Sequence, residues 1–149
     1  MNPLVNTLVK ARSELLETVD KIDQEKADKV IIGNWNLKDI IAHLTGWAEY
    51  QIAVLKAIRL GKLPPDYGNV QDYNQQSTRS RKDLPWDRIY EEYKEKSQQL
   101  VEEYKSLPDE LWTKPIERGK KPTMEKLIKI ETRHYAETHL PQIKKLLED

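Results

Sequence analysis

Apolar residues recur along this chain at helical spacing, and one stretch organises the rest. Between Asn36 and Leu60, the residues Leu37, Ile41, Leu44, Ala48 and Leu55 fall on one stripe, and Ile40, His43, Trp47, Tyr50 and Val54 fall on a second beside it. Little of the circumference is left polar, so the stretch predicts a long central helix. Asn36 is suited to cap it, and Asp39 puts a carboxylate in the first turn, where it complements the helix dipole. No proline interrupts the run before Gly61. About 24 residues at roughly 1.5 Å each are long enough to form one full member of a helix bundle.

The same period appears three more times. Pro3 takes the favoured first helical position, and Leu4, Leu8, Ala11, Leu15, Val19 and Ile22 predict a first helix ending near Asp23. Residues 24 to 35 read as a connection, with Trp35 placed to staple onto Ile40. Gly61, Pro64, Pro65 and Gly68 predict a crossover loop after the central helix, and the polar run 70 to 80 reads as a short helix or an ordered loop. Pro85 opens a third helix through Trp86, Ile89, Tyr93, Leu100 and Tyr104, stopping near Leu107. Residues 113 to 122 predict a loop in which Arg118, Lys120 and Lys121 are solvating charges. Thr123 then caps a last helix with the stripe Ile128, Thr132, Tyr135, His139, Ile143 and Leu146, kinked next to His139 because Pro141 lacks an amide for the Glu137 carbonyl. No strand signal and no internal repeat is evident. The expected fold is all-α, a four-helix bundle in one domain over 1–149, with a crossover connection between helices 2 and 3.

Composition narrows the function. Lysine plus arginine and aspartate plus glutamate balance at 25 each, so no positive excess drives binding to nucleic acid or to an anionic membrane. With no cysteine, only histidines and carboxylates are available as metal ligands. A 34% share of charged residues and the absence of an apolar N-terminal block suggest a cytoplasmic protein with no membrane span.

Three histidines are candidates for chemistry: His43 on the central helix, and His134 and His139 on the last. Facing helices of a bundle can present imidazoles to one metal. Regular helical spacing sets a limit, because residues five apart diverge by about 140°, so at most one of His134 and His139 is expected to share the face of His43. Tyr135 and Glu131 stand four and eight before His139 and give a Glu, Tyr, His stripe. Trp47, Asp72 and Asn74 are candidates for lining a pocket and touching a substrate. The plainer alternative makes His43 and His139 hydrogen-bonded core residues.

The segment Trp35-Asn36-Leu37-Lys38-Asp39-Ile40-Ile41-Ala42-His43-Leu44-Thr45-Gly46-Trp47, with Tyr135 to Ile143 (Tyr-Ala-Glu-Thr-His-Leu-Pro-Gln-Ile), resembles the DinB/YfiT-like superfamily of four-helix bundles. Tyr67-Gly68 with Asp72, Tyr73 and Asn74 is similar, more narrowly, to its ClbS/DfsB branch. The resemblance implies a cavity between helices. In many members it holds a zinc or nickel ion on three histidines, one on the second helix and two, four apart, on the last. His43 and His139 match the first and last positions. Tyr135 stands at the middle one, and His134, displaced by one, needs a local shift to replace it. The resemblance further implies activities that range from thiol-dependent transfer and isomerisation to hydrolytic opening of an electrophilic ring in a genotoxin.

Two functions follow as expectations. The first is a small-molecule-modifying or detoxifying protein, in which His43 and His139 bind a divalent metal or, without one, polarise a water while Tyr135 holds substrate or a developing anion. The second is a non-catalytic helical bundle that binds a ligand or associates with a second copy, as a homodimer through helix faces, with structural histidines.

Overall fold

Several of the helices start where a side-chain acceptor meets their first free amides. In the computed structural model, which describes residues 2–117 and 120–148, the Asn2 side chain accepts from the Leu4 amide at 2.9 Å at the start of α1 (Pro3–Asp20). Asn36 and Asp39 form a reciprocal capping box at the start of α2 (Leu37–Arg59), bonding each other's amides at 2.9 and 3.1 Å. Asn69 caps α3 (Val70–Arg79), so the polar run after the crossover is a helix. Pro85 precedes α4 (Trp86–Lys105), and Thr123 caps α5 (Met124–Arg133). A π-helical turn over His134–His139 joins α5 to α6 (Leu140–Glu148).

The bundle consists of α1, α2, α4 and the continuous α5–α6 helix. α2 packs most extensively against α4, and α1 lies against α4, α5 and α6, while α3 crosses over the outside of α2. Leu8, Leu15, Ile40, Leu44, Leu100 and Ile128 are all but inaccessible to solvent and belong to one continuous apolar core. Burying side chains of this size contributes about 1.5–3 kcal/mol each before ordering entropy is counted. No helix among the described residues is long and apolar enough to cross a membrane.

Two short hairpins depart from the sequence expectation of no strands. β1 (Val30–Ile32) pairs antiparallel with β2 (Trp35–Asn36) around Gly33, whose φ of +58° suits the tight turn. β3 (Pro115–Glu117) pairs with β4 (Lys120–Thr123). Ladders of two to four residues are too short to display alternation, which is why the pattern hid them. Arg118 lies outside the described residues, as do the side chains of Lys120 and Lys121, so the basic cluster expected there is not placed. α1 also stops at Asp20, short of Asp23, whose side chain instead caps a single 3-10 turn at Gln24–Lys26.

Candidate functional site

The site is built from α2 outward. His43, Trp47 and Gln51 stand four apart on one face of α2, so they point the same way over two turns. α3 is held against that face at Gly46. A Cβ on Gly46 would overlap Ser77 Oγ and lie 2.7 Å from Ser77 Cβ, and the Tyr73 hydroxyl donates to the Gly46 carbonyl at 2.6 Å. This close approach brings Asn74 of α3 alongside His43 and Trp47.

Asn74 fixes the tautomer of His43. An indole Nε1 can only donate, so its 2.6 Å contact identifies the oxygen of the Asn74 amide. The same oxygen lies 2.9 Å from His43 Nδ1, which must therefore carry a proton and donate it. Nε2 of His43 is left with a lone pair. On the last helix, His139 Nδ1 lies 3.0 Å from Gln142 Oε1 and donates likewise. Its Nε2 is buried and has no hydrogen-bond partner among the described residues.

The two imidazoles meet edge to face, with ring centroids 5.0 Å apart, and Trp35 tilts against His43 at 4.9 Å. His134 joins them at 5.6 Å from His139, although α-helical spacing predicted that the two would diverge. The π-turn corrects that expectation. It closes its backbone bonds over one more residue per turn, so residues five apart come to stand over one another. The expected kink beside Pro141 takes this form, a widened turn ending at His139. The Glu131, Tyr135, His139 stripe is divided by it: Tyr135 is buried beside Tyr93 of α4, and exposed His134 stands beside His139.

Both inner imidazoles are neutral. Burial, reinforced by the neighbouring His139, lowers His43 from 6.5 to about 3 against the opposing Asn74 bond. Burial also brings His139 down to about 4, with Gln142 opposing and His134 adding to the shift. Among the described residues no three His, Asp or Glu side chains converge on one point as metal ligands do. The arrangement supplies a pair of nitrogen donors, with His134 the nearest third.

A cavity of about 510 Å³ opens beside His43 and His134, and His139 is not among its described lining residues. His43, Trp47, Gln51, Asn74, Glu131 and His134 line its polar side, and Tyr50, Tyr67, Val70 and Ile130 line its apolar side. Trp47 and Asn74, expected at a pocket, are both there. Asp72, also expected, is exposed and borders a separate shallow recess with Gln75, Gln76 and Arg79. Tyr135 is only 1% exposed and is not among the cavity's lining residues.

Beneath the cavity lies a polar cluster that the sequence reading did not assemble. The Tyr104 hydroxyl donates to Gln51 Oε1, and Gln51 Nε2 donates to Glu131 Oε2. Burial raises the Glu131 carboxyl from 4.5 to about 7, against the opposing effects of Gln51 and the nearby Tyr135 hydroxyl. The Tyr93 and Tyr135 hydroxyls sit close to each other and to Glu131, yet neither completes a hydrogen bond. One signal was available in the sequence: Gln51 is a polar residue eight after His43, on a stripe that is otherwise aromatic or apolar.

A family model described as the DinB superfamily matches residues 7–143. The chain belongs to the DinB superfamily. The match takes in all of α2 and α4, most of α1 and of the α5–α6 helix, and every residue of the site described above. No curated protein and no solved structure matches the chain. DinB membership accounts for the bundle with its α2-to-α4 crossover and leaves the reaction open, since function resides in the site.

Proposed function

We propose that this DinB-superfamily chain modifies small electrophilic molecules, as a detoxifying hydrolase or transferase of the ClbS/DfsB kind, with its chemistry at His43 and His139. One observation carries the reading: two neutral, buried imidazoles stand 5.0 Å apart, and the His139 Nε2 lone pair has no donor among the described residues. A buried acceptor left open is costly unless a water, a metal or a ligand completes it.

In this reading the imidazoles bind and orient a water. Their lowered pKa keeps both lone pairs vacant at neutral pH but makes each a weaker base, so proton transfer is concerted with bond formation at carbon. The water oxygen bonds to the electrophilic carbon as an imidazole Nε2 takes its proton. The strained or leaving-group bond breaks with its electron pair, and the imidazolium returns the proton to the departing atom. Trp47 and the apolar wall exclude bulk water from that side of the cavity. A divalent ion such as zinc or nickel would be held by Nε2 of His43 and His139, with His134 the nearest further nitrogen donor, and would supply Lewis acidity.

The test uses protein purified without a metal-affinity tag. Turnover of a simple epoxide to its diol, and to its adduct with a thiol, is expected to fall by about 100-fold in both His43→Ala and His139→Gln. Elemental analysis of the same preparations shows whether an ion accompanies the activity and leaves with His43. Full turnover in both variants defeats the proposal, and folded variants that still bind small molecules, from a parent without turnover, favour a non-catalytic binding bundle.

A further inference from the structure

Glu131 is 4% exposed, lines the cavity, and makes no ion pair with any described residue. A buried carboxylate without a cation is among the least favourable arrangements a fold can hold. The described groups packed around it are Gln51 from α2, Tyr93 and Tyr104 from α4, and Tyr135 from its own helix. The guanidinium of Arg12 on α1, which acts on the neighbouring Tyr93 and Tyr135, is engaged by Ser97 Oγ at 2.7 Å and the Lys94 carbonyl at 3.1 Å. Gln51 cannot reverse its amide without losing the Tyr104 donor, so it presents a single N–H to Oε2.

Three aromatic rings line the same cavity. Trp47, Tyr50 and Tyr67 contact one another edge to face, with centroids 5.1 to 5.7 Å apart. Neither lysine nor arginine is among the described lining residues, and the fixed tautomer of His43 leaves its Nε2 an acceptor. The rim is apolar and open: Tyr67, Val70 and Ile130 are 39, 49 and 44% exposed.

We propose that the cavity takes small molecules with an apolar body and a protonated amine, whose ammonium pairs with Glu131 among the aromatic faces of Trp47, Tyr50 and Tyr67. A carboxylate supplies the charge, the rings supply cation–π attraction, and the apolar rim covers the carbon skeleton. An anionic ligand of the same size would meet the carboxylate with no compensating cation. This rests on the cavity being the ligand site of the function proposed above, and it names the substrate class.

The test compares three matched probes by calorimetry at about pH 8, where the amine is charged and Glu131 is free to ionise: 4-phenylbutylamine, 4-phenylbutanol and 4-phenylbutyrate. The amine is expected to bind about tenfold more tightly than the alcohol, with the acid weakest. Glu131→Gln, which keeps an acceptor for Gln51, is expected to abolish the preference while still binding the alcohol. His139→Gln is expected to retain it. Equal binding of amine and alcohol by the parent protein overturns the assignment of the amine while leaving the cavity a ligand site, and so does a preference that survives in folded Glu131→Gln. Failure of all three probes to bind overturns the cavity itself as the site. Because the comparison among probes is made on the unaltered chain, it does not depend on any variant folding.

Discussion

His134 and His139 lie five residues apart in the chain and 5.6 Å apart in space, ring centre to ring centre. Pro141 gives the physical reason. It has no amide to return to the turn before it, and its ring crowds the carbonyl four residues back. Winding that turn wider moves the crowded carbonyl away, and the last π bond runs from the Leu140 amide to the Tyr135 carbonyl.

A turn widened by one residue can be narrowed by one. Deleting Ala136, which is exposed, is expected to restore α-helical spacing with the two histidines four apart and still adjacent. The deletion variant should fold with a Tm lowered by roughly 6–12 °C, about 3 kcal/mol for a chain of this size, because the narrowed turn returns the Glu137 carbonyl to the Pro141 ring. Inserting an alanine after Ala136 should instead rotate His139 out of contact with His43 and cost considerably more. Thermal unfolding followed by circular dichroism distinguishes the two, and equal losses in both would show that the wide turn does not set the histidine register.

Gly46 governs where α3 sits. Gly46→Ala introduces a Cβ into the space of Ser77, and α3 must move outward, taking Asn74 from His43. The expected cost is about 1–3 kcal/mol, typical of overpacking at a close contact. Ser77→Gly in the same chain opens the space again, so the double variant should recover much of the loss despite the added glycine. Denaturant unfolding of the two single variants and the double variant gives the coupling, and strictly additive losses would count against the contact.

How much of this was legible in the sequence follows from the length scale of each feature. The long helices showed because a period repeated over five or more turns outweighs local exceptions, and Asn36 with Asp39 marked a start that the capping box makes good. The hairpins at Val30–Asn36 and Pro115–Thr123 did not show, since strands of two to four residues are too short to display an alternation. His43 and His139 were recognisable as polar residues on apolar stripes. His134 diverges from His139 on an ideal helix, and the π-turn beside Pro141 supplies the local shift that brings the two rings together. Glu131 and Gln51 were visible individually, but their hydrogen bond joins residues 80 apart in sequence, a relationship that only the packing of α5 on α2 creates.

Asn74 is expected to act through His43. Replacing it by leucine removes the acceptor shared by Trp47 Nε1 and His43 Nδ1, and each donor stranded in a buried place costs about 1–3 kcal/mol. The His43 proton then has no reason to remain on Nδ1. Nitrogen-detected NMR at neutral pH should show the Nδ1–H tautomer in the parent and a mixture or the Nε2–H form in Asn74→Leu. Asn74→Asp keeps the acceptor and adds a negative charge, so His43 should titrate at higher pH than in the parent. An unchanged tautomer in Asn74→Leu would mean that another group orients the ring.

Glu131 and the two inner histidines pull the pH dependence of stability in opposite directions. His43 and His139 are lowered from 6.5 to about 3 and about 4, so below pH 6.5 the unfolded chain takes up protons that the folded chain refuses. Their contribution is therefore full above 6.5 and is lost as pH falls through the folded values. Glu131 is raised from 4.5 to about 7, so between those values the folded chain keeps a proton that the unfolded chain has released. Its contribution is full below 4.5 and is lost as pH rises through 7. Glu131→Gln removes the second effect and leaves the first. The Tm of the variant minus that of the parent should therefore grow between about pH 5 and pH 8, by several degrees, given that each unit of displacement is worth about 1.4 kcal/mol. All other titrating groups cancel in that difference. A difference that stays constant over the range would show that Glu131 ionises in the folded chain as readily as in the unfolded one, and that its burial carries no electrostatic penalty for a ligand to relieve.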